Sequence, residues 1–140
     1  MSIWTQVAAV FRVDGFRIDS SQQPDFHRIF GRELRYNDPG EVWNEYNLHP
    51  RRFLPCGSEG SLQMSVWENP DKNCLDAYTV SVFGSLRNYE DAEAIRTWFV
   101  NCCRKCSIRQ AVIDIEVEFM QHVVDRYDPD DPRFQSGFNS

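Results

Sequence analysis

Four stretches of this chain alternate apolar and polar side chains with a period of two, and that pattern constrains the fold more than any other feature. Successive side chains of an extended strand point to opposite faces, so each stretch reads as a strand with one oily side. Val7, Ala9, Phe11 and Val13 alternate with Gln6, Ala8, Val10 and Arg12. Leu62, Met64 and Val66 alternate with Gln63, Ser65 and Trp67, and Tyr78, Val80 and Val82 with Thr79, Ser81 and Phe83. In the fourth, Ala111, Ile113, Ile115, Val117 and Phe119 alternate with Val112, Asp114, Glu116 and Glu118, setting an apolar face against an acidic one.

Two other segments have helical spacing. Asp14-Gly15 supplies a turn, Pro24 suits the first turn of a helix, and Phe26, Ile29, Phe30 and Leu34 follow three or four apart. Asn88 is placed to cap a second helix, with Glu90 and Asp91 at the positive end of its dipole and Arg104 and Lys105 near the negative end. Ala92, Ile95, Phe99, Cys102 and Cys106 form its apolar stripe.

The resulting order, βαββαβ, is that of ferredoxin-like folds: an α+β domain with a four-stranded antiparallel sheet and two helices on one face. A long loop over residues 35–58 separates the first helix from the second strand. Asn37, Asp38, Pro39, Gly40, Pro50 and Pro55 break any period there. It is either packed down by Val42, Trp43, Tyr46, Leu48, Phe53 and Leu54 or functional. Residues 1–121 are expected to form the single domain. Residues 122–140, with Asp125, Asp128, Pro129, Asp130, Asp131 and Pro132, read as an acidic, partly disordered tail.

A formal charge of −6 without a long Lys/Arg run disfavours nucleic acid as a partner. No apolar run approaches the roughly 20 residues of a spanning helix, so no membrane is expected. Five cysteines with no leader pattern point to reduced thiols and a cytoplasmic location. Cys103 and Cys106 have ligand spacing, and Cys56 and Cys74 would complete a four-thiolate site. The close pair falls on an amphipathic helix whose stripe already uses cysteine, so packing is expected and neither metal nor cofactor is assigned. His27, His49 and His122 sit in no catalytic constellation, and no catalytic residue is assigned.

The uncovered sheet face would display Gln6, Ala8, Val10, Ser65, Trp67, Ser81, Phe83, Val112, Asp114, Glu116 and Glu118. Mixed apolar and acidic, it suits contact with another protein, either a basic partner or a second copy, through Trp67, Phe83, Asp114, Glu116 and Glu118. Alternatively the long loop or the tail covers it. A different reading is a nucleotide-sequestering binder of small anionic ligands. It would use Trp43 for stacking, Arg51, Arg52 and Arg87 for charge, and Gly57, Ser58, Gly60 and Ser61 as a turn. An enzyme with a site assembled from scattered residues is the third.

Met1-Ser-Ile-Trp4, Leu54-Pro-Cys-Gly-Ser-Glu-Gly-Ser-Leu62, and Val82-Phe-Gly-Ser-Leu-Arg-Asn-Tyr89 followed by Trp98-Phe99 resemble small uncharacterised proteins of tailed bacteriophages. The resemblance implies expression in a bacterial host cytoplasm and a role in countering host defence, and it transfers no functional residue. Residues and resemblance together lead to the expectation of a non-enzymatic interaction protein, a phage-encoded inhibitor acting by protein contact.

Overall fold

The computed structural model describes residues 3–14, 25–33, 53–57, 60–71, 76–89 and 91–135. Its strands are β1 (Trp4–Asp14), β2 (Gln63–Glu68), β3 (Asp76–Arg87), β4 (Ile108–Val117) and β5 (Gln121–Arg126). Its helices are α1 (Phe26–Phe30) and α2 (Ala92–Arg104), and a 3₁₀ turn covers Pro132–Phe134. The five strands form one antiparallel sheet in the order β2-β3-β1-β4-β5.

This corrects the expected four-stranded βαββαβ, ferredoxin-like sheet with two helices on one face. A fifth strand extends the sheet, strands dominate the described residues, and the first helix shrinks to five residues. Helix α1 is stopped by Gly31 at φ +107, where a Cβ would lie 2.5 Å from the backbone of Phe53. Strand β4 ends at Val117 rather than Phe119. Residues 118–120 make a tight turn closed by Met120 N–H donating to the Val117 carbonyl at 3.0 Å, with Phe119 at φ +62 and exposed. The chain then returns as β5, so His122, read as the start of a tail, stands on a strand paired with Glu116.

Two further details differ from the sequence reading. Strand β3 runs on through Gly84 to Arg87, past the alternation that ends at Phe83, and the N-cap of α2 is Asp91 rather than Asn88, its side chain accepting from Ala94 N–H at 3.0 Å. Asn88 instead turns the chain at φ +56 and donates its N–H to the Ile3 carbonyl at 2.7 Å.

The covered face of the sheet carries Val7, Phe11, Val80, Val82, Ile113 and Ile115, all buried, and meets Phe26 and Phe30 of α1 and Ile95 and Phe99 of α2. Phe11 is the hub, with ring centroids of Phe30 and Phe99 at 4.8 and 5.3 Å. Burying such a side chain contributes about 1.5–3 kcal/mol, so these aromatics supply much of the driving force. Trp98 Nε1–H donates to the Phe30 carbonyl at 2.9 Å and pins α2 to α1.

Beyond β5 the chain stays on the helical side. Asp125 points to that side, accepting from Arg96 Nε at 3.0 Å and Arg133 Nη1 at 2.8 Å, while buried Phe134 packs edge-on to Phe99 and Tyr127. Residues 127–135 therefore do not cover the opposite face. Among the described residues no helix is long and apolar enough to cross a membrane.

Candidate protein-contact face

Strand register sets the uncovered face out in rows. Ser65, Ser81, Val10, Val112 and Arg126 lie across the five strands in one row, and Gln63, Phe83, Ala8, Asp114 and Val124 in the next. On one side of these rows stand Trp67, Thr79, Arg12 and Gln110; on the other, Ser85, Gln6, Glu116 and His122. On β1, β3 and β4 alternation alone forces this, because the inward neighbours of these residues are buried on the other face.

The apolar members of the rows are open to solvent: Val10 is 38% exposed, Val112 44%, Phe83 45%, Trp67 53% and Val124 64%. Val10 and Val112 are direct cross-strand neighbours, Phe83 and Val124 lie diagonal to them, and Trp67 stands apart beside Thr79. Trp67, Phe83, Asp114 and Glu116 all stand on this face, whereas Glu118 sits in the β4–β5 turn, its N–H donating to the Trp4 carbonyl at 3.0 Å. Sequence reasoning left out β5, and with it His122, Val124 and Arg126. The signal was present in the renewed alternation after Met120, but an inward-facing aspartate, Asp125, hid it.

His122 is held to Asp114. Its Nε2 lies 2.9 Å from both carboxylate oxygens of Asp114. The hydrogen bond to Asp114, then its charge and that of Glu116, raise the imidazole above its usual pKa. Arg12 Nη1 donates to Gln110 Oε1 at 3.0 Å.

The small-ligand set is dispersed. Trp43, Arg51, Arg52 and Ser58 fall outside the described residues. Gly57 N–H donates to the Gly60 carbonyl at 2.9 Å, and both glycines lie along the end of β3. A Cβ on either would come within 2.4 Å of a β3 carbonyl oxygen, so both glycines serve close approach. Ser61 Oγ donates to the Leu62 carbonyl at 3.1 Å, and Arg87 pairs with Trp4 on β1. The hollow beside them, about 390 Å³, is lined by Glu33, Gly60, Ser61, Gln63, Phe83, Gly84 and Ser85, and the one charge in that lining is negative.

Cys102 and Cys103 of α2 are buried, and Cys106 just beyond it is half-buried. Burial pushes the Cys102 and Cys103 thiols well up and that of Cys106 to about 12, so all three are protonated near neutrality and poor nucleophiles. Among the described residues no three His, Cys, Asp or Glu side chains converge as metal ligands.

No protein-family model, no curated protein and no solved structure matches the chain. What the molecule can do has to be argued from this surface.

Proposed function

We propose that the protein is a non-enzymatic interaction protein and that the uncovered sheet face is its contact surface for another protein. One observation supports this above all: Val10, Val112, Phe83, Trp67 and Val124 stand together on that face, each more than a third exposed. Exposed apolar surface gathered on one face is costly to leave in water and marks contact sites. These residues are spread over all five strands, which suits a protein better than a small ligand that needs a concave pocket. The resemblance to tailed-phage proteins extends the reading to an inhibitor of a host defence protein, working in the host cytoplasm.

The test is capture from bacterial lysate on immobilised protein, wild type against a Trp67→Ser/Phe83→Ser double variant. The expected result is a bound protein that the variant loses. A variant that folds normally and keeps every bound protein would remove the face from consideration.

A further inference from the structure

We infer that in the isolated protein the uncovered face is covered by a second copy of the chain, packed face to face about a two-fold axis that runs across the strands. The inference rests on the reading of this face as a protein contact and adds what occupies it.

Charge decides between occupants. The molecule is acidic overall, but the charges bordering the apolar patch do not follow the total. Arg12 and Arg126 lie toward one end of the strands, and Asp114 and Glu116 toward the other. Among the described residues of these rows that is two of each sign, apart from His122, which is held on Asp114. Farther out, Arg87 and Glu118 flank Trp4 with opposite signs, and at the other end Arg109 Nε and Asp14 pair at 2.9 Å. A basic partner would meet Arg12 and Arg126 as well as the carboxylates, and like charges brought together oppose binding. A surface positive at one end and negative at the other is complementary to itself when turned end for end, which is what a two-fold axis does.

Register gives the detail. An axis midway between the Val10 row and the Ala8 row lays each row on the other. Val10 then faces Ala8 of the second copy, and Phe83 faces Ser81, so large side chains meet small ones. Arg126 comes one strand away from the second copy's Asp114, because β5 neighbours β4. Arg12 comes one strand away from Glu116 of that copy, because β1 also neighbours β4. Strands are about 4.8 Å apart and packed sheets about 10 Å, a gap an arginine side chain spans. By symmetry every such pair occurs twice. The two-fold also gives Trp67, at the β2 edge, a place over the start of the second copy's β2.

A host target would thus compete with self-association for one surface, and the dimer would keep the apolar patch out of water until the target arrives.

The experiment is sedimentation equilibrium on the full chain with two single charge reversals, Arg126→Glu and Asp114→Lys. Wild type is expected to dimerise. Each reversal alone places like charges opposite each other twice and is expected to weaken the dimer at least tenfold. An equimolar mixture of the two variants restores both pairs and is expected to return the dimer as a mixed species, which a merely misfolded variant would not do. Wild type that stays monomeric up to about 1 mM, the weak end of the affinity range, overturns the inference. So does a dimer indifferent to the reversals, or one that mixing fails to rescue. If the protein is monomeric but the Trp67→Ser/Phe83→Ser variant still loses a lysate protein, the second copy is wrong and the contact face stands. If it is monomeric and that variant loses nothing, both fall.

Discussion

The two faces of the sheet are built from the same strands and have opposite fates. On the covered face Phe11, Val80, Val82 and Ile115 have no exposed surface at all; on the other, one residue along, Val10, Phe83 and Val112 are 38–45% exposed. Each face also holds one carboxylate gripped by a base. Asp125, on the helical side, is clamped by Arg96 and Arg133, and Asp114, on the open side, by His122. The contrast teaches that the helices and the C-terminal turn stabilise only half of the hydrophobic surface this sheet creates. The remainder is kept apolar without any benefit to the fold of the single chain.

The comparison breaks most easily in the core. Phe99→Ala removes a ring packed against Phe11 and Phe134 and is expected to cost about 3–5 kcal/mol in urea denaturation. Asp125→Asn should cost less, about 1–2 kcal/mol, because Arg96 and Arg133 are 34% and 41% exposed and solvent screens them. Burial works to raise the pKa of Asp125, but the hydrogen bonds from Arg133 and Arg96 outweigh it and hold the carboxyl below its usual value. Its contribution is therefore present above the unfolded carboxylate pKa and lost as pH falls through the lowered folded value. An acid titration of stability in wild type and Asp125→Asn checks the sign, and parallel curves would refute it.

The open face should respond differently. Measured at a concentration where the protein is monomeric, Phe83→Ser is expected to leave stability within about 0.5 kcal/mol while abolishing capture of a partner; a loss there as large as that of Phe99→Ala would mean the face is covered by the chain itself. The smallest effect belongs to His122. With its pKa raised by Asp114, its contribution is complete below the unfolded imidazole value and fades as pH rises through the folded one. An NMR titration should show the His122 pKa falling in Asp114→Asn, and an unchanged value would show that the 2.9 Å contact carries no charge coupling.

How much of this was legible follows from burial. The stretches that became β1, β3 and β4 announce themselves because every inward position from Val7 to Val13, from Tyr78 to Val82 and from Ala111 to Val117 is apolar and buried. Strand β5 does not, since its inward residues are Val123 and Asp125 and a charge there looks like a tail. Gly84 lies within β3, where Ser61 and Leu62 cross it closely, at 3.2–3.3 Å from where a Cβ would be. Asn88 and Asp91 are equally good caps on paper, and the unforeseen length of β3 decides between them. Trp67, Phe83, Asp114 and Glu116 fall on the open face by alternation alone. The His122 contact was out of reach because it needs the β4–β5 hairpin, whose turn turns on Phe119 adopting a positive φ that its type seldom takes.

The central position of β1 has a cost in time. Its neighbours are β3 and β4, and β4 leaves the ribosome about a hundred residues after it. At 5–20 residues per second that is roughly 5–20 s during which β1, with Val7, Phe11 and Val13, lacks one of its two strand neighbours. Such long-range closure slows folding, so the nascent chain is open to chaperone capture until its last strands are made.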